Sequence, residues 1–311
     1  MSTFHKFSVV TFLVLFLLGC GGGGGGDSGV TYTGLTTPAV ITNTNAKILA
    51  EGAIGGSSTG TAFGVVSDGQ EIQPNPTILN VARILSNIVT QLDISPSSST
   101  LPGAIVTDSG SDPCLDGGSI SFNLSVDDVT DDFSGTFNFI NCAEGGTTIN
   151  GNTTVSGTIN LNSSFIEVLN FTMNPVTVVS GAESYTMSGT VRTSVSGSSA
   201  TIVMDVRLRN NNTQMVEWIN NLTISAVDNG SFLEMTITGR YYHPEHGYID
   251  IVTNLPFQIN YADQWPYAGQ MTITGASGSK ARVTAVSNTQ YRLEVDPDGS
   301  GYGPPTLEDW G

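Results

Sequence analysis

The sequence predicts a mainly β protein, in which a long curved antiparallel sheet carries one or two short N-terminal helices packed on it. Two observations predict this class. After residue 97 the chain alternates polar and apolar residues over stretches that Gly, Asn and Pro interrupt. The connections between those stretches are short, which favours a meander of antiparallel neighbours, half-barrel-like in its curvature, over parallel crossovers. A sheet that spans a membrane is the alternative, but its aromatic girdles are not visible in the pattern.

Two strand candidates are also predicted to pair in one register. In the segments 119–126 and 133–141, opposing Val126 with Phe133 brings every apolar side chain to one face, as a hairpin requires. The other candidate strands are 147–160, 165–173, 185–195, 201–209, 216–226, 232–243, 248–253, 268–274, 281–287 and 290–295.

Residues 35–96 are predicted as a helical N-terminal region and residues 97–311 as the β domain. The Asn43-Thr44-Asn45 segment is expected to cap a short helix that runs through Ala53 and stops at Gly55-Gly56. A second helix, Thr77–Leu92, has apolar residues at the spacing of one helix face and ends before Pro96. We expect that second helix to cover the apolar concave face of the sheet.

Composition sets the first limits on function. The 311 residues include 10 Lys and Arg against 27 Asp and Glu, a net charge of −17. So few cations cannot neutralise a phosphate backbone, which excludes a nucleic-acid-binding protein. Hydrophobic residues make up 39% of the chain, enough to form a core, so the chain is not a disordered acidic tail.

The start of the chain indicates a lipid-anchored protein. Residues 1–19 have a basic residue, Lys6, and an apolar stretch from Val9 to Leu18 that is too short to cross a bilayer, as in a cleaved signal peptide. Leu17-Leu18-Gly19-Cys20 resembles the bacterial lipobox. That resemblance implies acylation of Cys20, and Gly21 after it favours the outer membrane. Residues 20–34 then form a Gly-rich tether, so the expected partner of the N-terminus is a membrane.

Once Cys20 is assigned to the lipid, the cysteines left are Cys114 and Cys142. An even pair in an oxidising compartment favours a disulfide. The predicted hairpin supports this pairing, because both cysteines lie just beyond its open end.

Two segments contain candidate metal ligands. Asp296, Asp298 and Ser300 occupy the spacing of the first half of an EF-hand loop, although Leu307 stands where the last acidic ligand belongs, so a looser Ca²⁺ site is the expectation. His243, Glu245 and His246 flank a Pro-led turn and could bind a metal such as Zn²⁺; the alternative is an ordinary hairpin turn. No other cofactor is expected.

Catalytic motifs are scarce. The string Gly56-Ser57-Ser58-Thr59-Gly60 matches a nucleophile motif by letter, but it does not lie between a strand and a helix, as the motif requires. No phosphate-binding loop, HExxH or CxxC stands in the chain. We therefore expect a protein without enzymatic activity, and a hydrolase of envelope polymers is the weaker alternative.

The chain resembles a family of uncharacterised bacterial outer-membrane lipoproteins. The resemblance rests on the lipobox, the Gly tether, the turn from His243 to Tyr248 and the Asp296–Gly299 ending. It brings no activity with it. The expected function is a structural or surface-interaction role in the cell envelope, with an envelope protein as a partner. The alternative is a carrier that holds a lipid or another apolar ligand between sheet and helix.

Overall fold

The computed structural model describes residues 29–64, 105–127, 129–160, 165–263 and 265–310. They form one open sheet of 14 antiparallel strands, each of which pairs with the strands before and after it in the chain. This is the predicted meander. Its strands are β1 Ile105–Pro113, β2 Gly117–Asp127, β3 Asp132–Glu144, β4 Thr147–Asn160, β5 Phe165–Ser180, β6 Glu183–Ser196, β7 Ser199–Asn210, β8 Val216–Asp228, β9 Leu233–His243, β10 Gly247–Ile259, β11 Ala268–Thr274, β12 Lys280–Ser287, β13 Gln290–Asp296 and β14 Thr306–Asp309.

The predicted hairpin register is confirmed. In the β2–β3 pair, Val126 lies opposite Phe133 and Phe122 opposite Phe137. The disulfide is confirmed as well: Cys114 and Cys142 are bonded, with their Cα atoms 5.4 Å apart. Both cysteines are buried in the apolar core of the sheet.

Two strands were not predicted from the sequence, and both are edge strands of the described sheet. β1 contains Asp108, Ser109, Gly110 and Asp112, a composition typical of a turn. Within the described part of the chain it pairs with β2 alone. β14 has only four residues and pairs with β13. Two other strands are longer than predicted because each continues past a proline, at Pro175 and at Pro256. Both prolines lie where the register shifts, and an irregular pairing tolerates the missing N–H donor.

The helix α1, Ala46–Gly64, packs against the inner face of the sheet on strands β6 to β9 and β12. Ala46, Leu49, Ala50 and Ala53 are at most 1% exposed. Gly52 fits so closely that a Cβ atom there would clash with the ring of Tyr241. The prediction that this helix ends at Gly55-Gly56 is wrong, since α1 continues through both glycines to Gly64. The string 56–60 therefore lies inside a helix.

Trp310, just after β14, closes one end of the core. Its ring packs on Tyr291, Trp265 and Phe257, with ring centroids 4.7, 5.9 and 6.5 Å away. The predicted helix Thr77–Leu92 and Cys20 lie outside the described residues, so the expectations for them stay predictions. Among the helices of the described part, none is long and apolar enough to cross a membrane.

Candidate binding site on the outer face

The segment of residues 29–45, which we call the strap, crosses the sheet from its outer face to its inner face. On the outer face, the backbone N–H of Val30 donates a hydrogen bond of 2.8 Å to Ser188 Oγ on β6. The strap then reaches the β9–β10 turn, where the Leu35 N–H donates to the carbonyl of Pro244. The strap thus attaches the start of the described chain to the outside of the sheet.

The strap turns inward at the start of β10. The N–H of Tyr248 donates to the carbonyl of Thr37, and the N–H of Ala39 donates to the carbonyl of Tyr248. Gly247 makes this crossing possible, because its φ is +91° and a Cβ atom there would clash with Thr37 O. Farther on, Asn45 precedes α1, and its Oδ1 accepts a hydrogen bond from the Thr42 N–H. Asn45 thus ties the strap to the start of α1.

A row of stacked rings stands on the outer face under the strap. Trp218 of β8 and Tyr242 of β9 stack with ring centroids 4.5 Å apart, and Tyr248 of β10 lies 5.2 Å beyond Tyr242. A guanidinium lies over each end: Arg207 is 4.7 Å from the Trp218 ring and Arg240 is 3.8 Å from the Tyr248 ring. These cation–π contacts, together with the stacking, make this row a rigid surface.

Tyr32 of the strap packs on this row, 5.8 Å from Trp218 and 5.5 Å from Tyr242. Its hydroxyl is within hydrogen-bonding distance of the carbonyls of Leu35 and His243, at 3.0 and 3.1 Å. Burial raises the pKa of Tyr32 to about 12, so the phenol stays neutral and remains a donor.

Between the strap and the outer face of β5 to β8 lies an open cleft of about 630 Å³. Its walls are polar and apolar in about equal parts and include Thr172, Ser188, Thr190, Arg207, Tyr32 and Trp218. Asp205, next to the cleft, accepts hydrogen bonds from Trp218 Nε1 at 2.7 Å and from Asn220 Nδ2 at 3.3 Å. The cleft is therefore a site of mixed polar and apolar lining, with an aromatic and cationic wall that is fixed in place.

The predicted histidine site is part of the strap crossing. His243 is 5% exposed, its ring stacks on His246 at 4.5 Å, and its Nδ1 accepts a hydrogen bond from the Glu245 N–H. Burial, followed by the nearby His246, lowers the pKa of His243. The Glu245 side chain is exposed. The two imidazoles lie side by side at the hairpin turn that the sequence analysis gave as the alternative, and a metal at this turn stays a prediction.

The predicted Ca²⁺ loop follows β13. Asp296 is fully buried, and Lys280 Nζ lies 3.3 Å from its Oδ2. Burial by itself would raise the pKa of Asp296, but the Gly301 N–H and the Lys280 ammonium hold that pKa below its ordinary value. Asp298 Oδ1 accepts hydrogen bonds from the N–H and hydroxyl of Ser300. A cation would have to compete with Lys280 for Asp296, so Ca²⁺ binding stays a prediction.

No group of three or more His, Cys, Asp or Glu side chains converges on a point within the part of the chain that the structure describes. Glu217 of β8 lies on the inner face of the sheet with part of its side chain exposed. Partial desolvation raises its pKa, and the Tyr241 hydroxyl is its hydrogen-bond partner. Glu217 and Tyr241 form a carboxylate–phenol pair near α1, on the face of the sheet opposite to the cleft.

Sequence reasoning missed the cleft and its residues Tyr32, Arg207 and Trp218. The available signal was weak: Asp205 and Arg207 occupy the polar positions of an alternating strand, which also fits an ordinary solvated face. The strap brings Tyr32 to Trp218 across 186 positions of sequence, and no local pattern encodes such a contact.

The chain matches no protein-family model, no curated protein and no solved structure in comparisons with each. The resemblance to outer-membrane lipoproteins therefore stays a prediction, and a function has to be inferred from the residues of the chain itself.

Proposed function

We propose that this protein is a lipid-anchored lipoprotein of the bacterial outer membrane. It serves as a non-catalytic surface-interaction module, and the cleft on its outer face is the contact site. The observation that carries the proposal is the hydrogen bond from Val30 to Ser188, which holds the start of the described chain at the cleft. The lipobox resemblance at Cys20 supplies the anchor.

The spacing between Cys20 and Val30 supports a module that lies near the bilayer. Ten residues separate these positions (30 − 20 = 10). An extended chain spans at most about 3.5 Å per residue, so the cleft lies within roughly 35 Å of an acylated Cys20. A contact site so close to its own anchor suits a partner or ligand that belongs to the same membrane surface.

The anchor is tested with Cys20→Ser in the full chain, expressed in a Gram-negative host that is fed an alkyne-labelled palmitate. The unsubstituted chain is expected to take up the label and to float with the outer-membrane fraction on a sucrose gradient. The variant is expected to lose both properties and to appear in the periplasm. Uptake of label by the variant, or an unsubstituted chain that is soluble and unlabelled, would refute the anchor.

The carrier of an apolar ligand is the second candidate. Where α1 meets the sheet, the interface is tightly packed, as the contact of Gly52 with Tyr241 shows, so that part of the inner face has no room for a ligand. A native mass spectrum of the Cys20→Ser protein from the periplasm separates the two candidates. A bound mass of a few hundred daltons that is also present in the Arg207→Gln variant would favour the carrier.

A further inference from the structure

The cleft contains a cation without a carboxylate partner. Arg207 has none among the described residues, whereas Arg240 is paired with Asp250 and Arg282 with Glu294. The acidic group nearest in sequence, Asp205, accepts hydrogen bonds from Trp218 and Asn220 instead. The Trp218 ring covers the face of the guanidinium. This contact leaves the N–H groups at the guanidinium edge oriented to donate to a planar anion.

The surroundings of Arg207 are locally basic in a strongly acidic chain. Arg192, Arg207 and Arg209 occupy the same outer face of the paired strands β6 and β7, as their register shows. They are three of the ten Lys and Arg residues of the protein. Asp205 shares this face, opposite Thr190. Because the three arginines outnumber it, an anion that the whole molecule would repel is still attracted at this place.

The other groups of the cleft suit hydroxyl-bearing ligands. Thr172 and Thr190 line it with hydroxyls, which both donate and accept. Ser188 Oγ already accepts from the Val30 N–H and keeps its proton to donate, and the Tyr32 phenol, which donates to a backbone carbonyl, keeps a lone pair to accept. About half of the wall surface is polar, which suits an acyl chain poorly because such a chain needs apolar surface on all sides. Walls of this kind match a sugar, whose hydroxyls exchange hydrogen bonds with such groups.

We propose that the cleft binds an acidic sugar, with Arg207 pairing with its carboxylate or phosphate and the threonine and serine hydroxyls binding its ring hydroxyls. The volume of about 630 Å³ lies within the usual range of small-molecule sites. This assignment rests on the proposed function for the source of the sugar: a cleft within reach of the anchored Cys20 meets the headgroups of envelope glycolipids first.

The test is a titration of the otherwise complete Cys20→Ser protein with digalacturonate and, as the matched neutral probe, galactobiose, followed by calorimetry. The acidic disaccharide is expected to bind at least about tenfold more tightly, since a charge-assisted hydrogen bond contributes about 1.5–3 kcal/mol. Arg207→Gln should abolish this preference and weaken digalacturonate binding roughly 10- to 100-fold.

The control is Arg192→Gln. It removes the same charge from the same face of the neighbouring strand at an exposed position, so digalacturonate affinity should change less than about twofold. Because Arg207 contacts Trp218, circular dichroism and the melting temperature of each variant verify the fold. Thr190→Val provides a second variant that leaves the arginine intact and is expected to weaken both sugars. Absence of binding, or equal losses in Arg192→Gln and Arg207→Gln, would overturn the proposal.

Vesicles distinguish the sources of the sugar. Phosphatidylcholine vesicles that contain a glucuronosyl diacylglycerol are compared with vesicles that contain the same fraction of phosphatidylglycerol. Binding to the glycolipid vesicles but not to the phosphatidylglycerol vesicles supports a membrane headgroup as the ligand. Binding of soluble digalacturonate with no binding to either vesicle type supports a free acidic glycan. Both outcomes keep the acidic sugar as the ligand. Equal binding to both vesicle types would show attraction to charge alone and would refute it. The palmitate experiment fails or succeeds independently of these outcomes.

Discussion

Gly52 and Gly55 show how a single residue in α1 is set by its neighbour in the sheet. Both are helical glycines, and glycine costs a helix about 1 kcal/mol relative to alanine. At Gly52 a Cβ atom would meet the buried ring of Tyr241, whereas at Gly55 it would meet no described atom within 4 Å. The same residue type is therefore a packing requirement at one position and a removable helix-weakening residue at the other.

We expect Gly52→Ala to lower the free energy of unfolding by about 1 kcal/mol, since overpacking costs roughly 1–3 kcal/mol and exceeds the gain in helix propensity. Gly55→Ala, its matched control, should raise the free energy of unfolding by about 0.5–1 kcal/mol. Urea denaturation followed by circular dichroism measures both. Equal stabilisation by the two substitutions would contradict the close contact with Tyr241.

His243 gives the protein a pH-dependent contribution. Burial and the neighbouring His246 lower its pKa below the ordinary value of 6.5. The unfolded chain therefore takes up this proton before the folded one does, so stability present above about pH 6.5 is lost as the pH falls below it. The groups that face the ring are His246, Glu245 and Tyr241.

The expected result is a decline in the free energy of unfolding between about pH 7 and pH 5 that is smaller in His243→Gln than in the unsubstituted protein. The carboxylates contribute equally to both curves, so the difference between the curves isolates the contribution of His243. Denaturant titrations at each pH provide the measurement, and parallel curves would exclude His243 as the source.

At the scale of elements, the β2–β3 hairpin shows how far a local pattern reaches. Its alternation determines the register, because a slip by one residue would turn every apolar side chain to the wrong face. Gly118, with φ of +74°, lies at the shift that brings the ends of both strands to the disulfide. The edge strand β1 has no such alternation, and only its pairing with β2 makes it a strand.

Removal of the disulfide in Cys114→Ala/Cys142→Ala should lower the free energy of unfolding by about 3.5 kcal/mol, because a cross-link over 28 positions reduces the entropy of the unfolded chain. Guanidinium denaturation with and without dithiothreitol measures the loss. The reductant should destabilise the unsubstituted protein to the same extent and leave the double variant unchanged. A reductant effect on the variant would point to a cause other than this bond.

At the scale of the whole molecule, the meander and its single core imply a gradient of stability. Among the residues that the structure describes, inner strands have two hydrogen-bonded neighbours, and β6 to β9 also pack on α1, whereas β1 and β14 have one neighbour each. Opening an edge strand breaks one ladder, and opening a central strand breaks two along with the helix contact.

Hydrogen exchange followed by mass spectrometry should therefore find peptides of β1 and β14 exchanging first, and those of β6 to β9 exchanging at least about tenfold more slowly. Val30 should be protected as well, since its N–H is bonded to Ser188. Uniform exchange over all strands, or edges slower than the centre, would contradict this gradient.

The sequence alone determined the fold class, most strand positions, the hairpin register and the disulfide. All of these follow from interactions between residues that are close in the chain, and in a meander strands adjacent in sequence are also adjacent in space. Only the tertiary structure decided where the strap runs, that α1 continues past Gly55-Gly56, and that Tyr32, Arg207 and Trp218 meet at one cleft. These features depend on contacts between segments that are distant in the chain. The packing energy of such contacts outweighs local preference, and a pattern of neighbouring residues does not encode them.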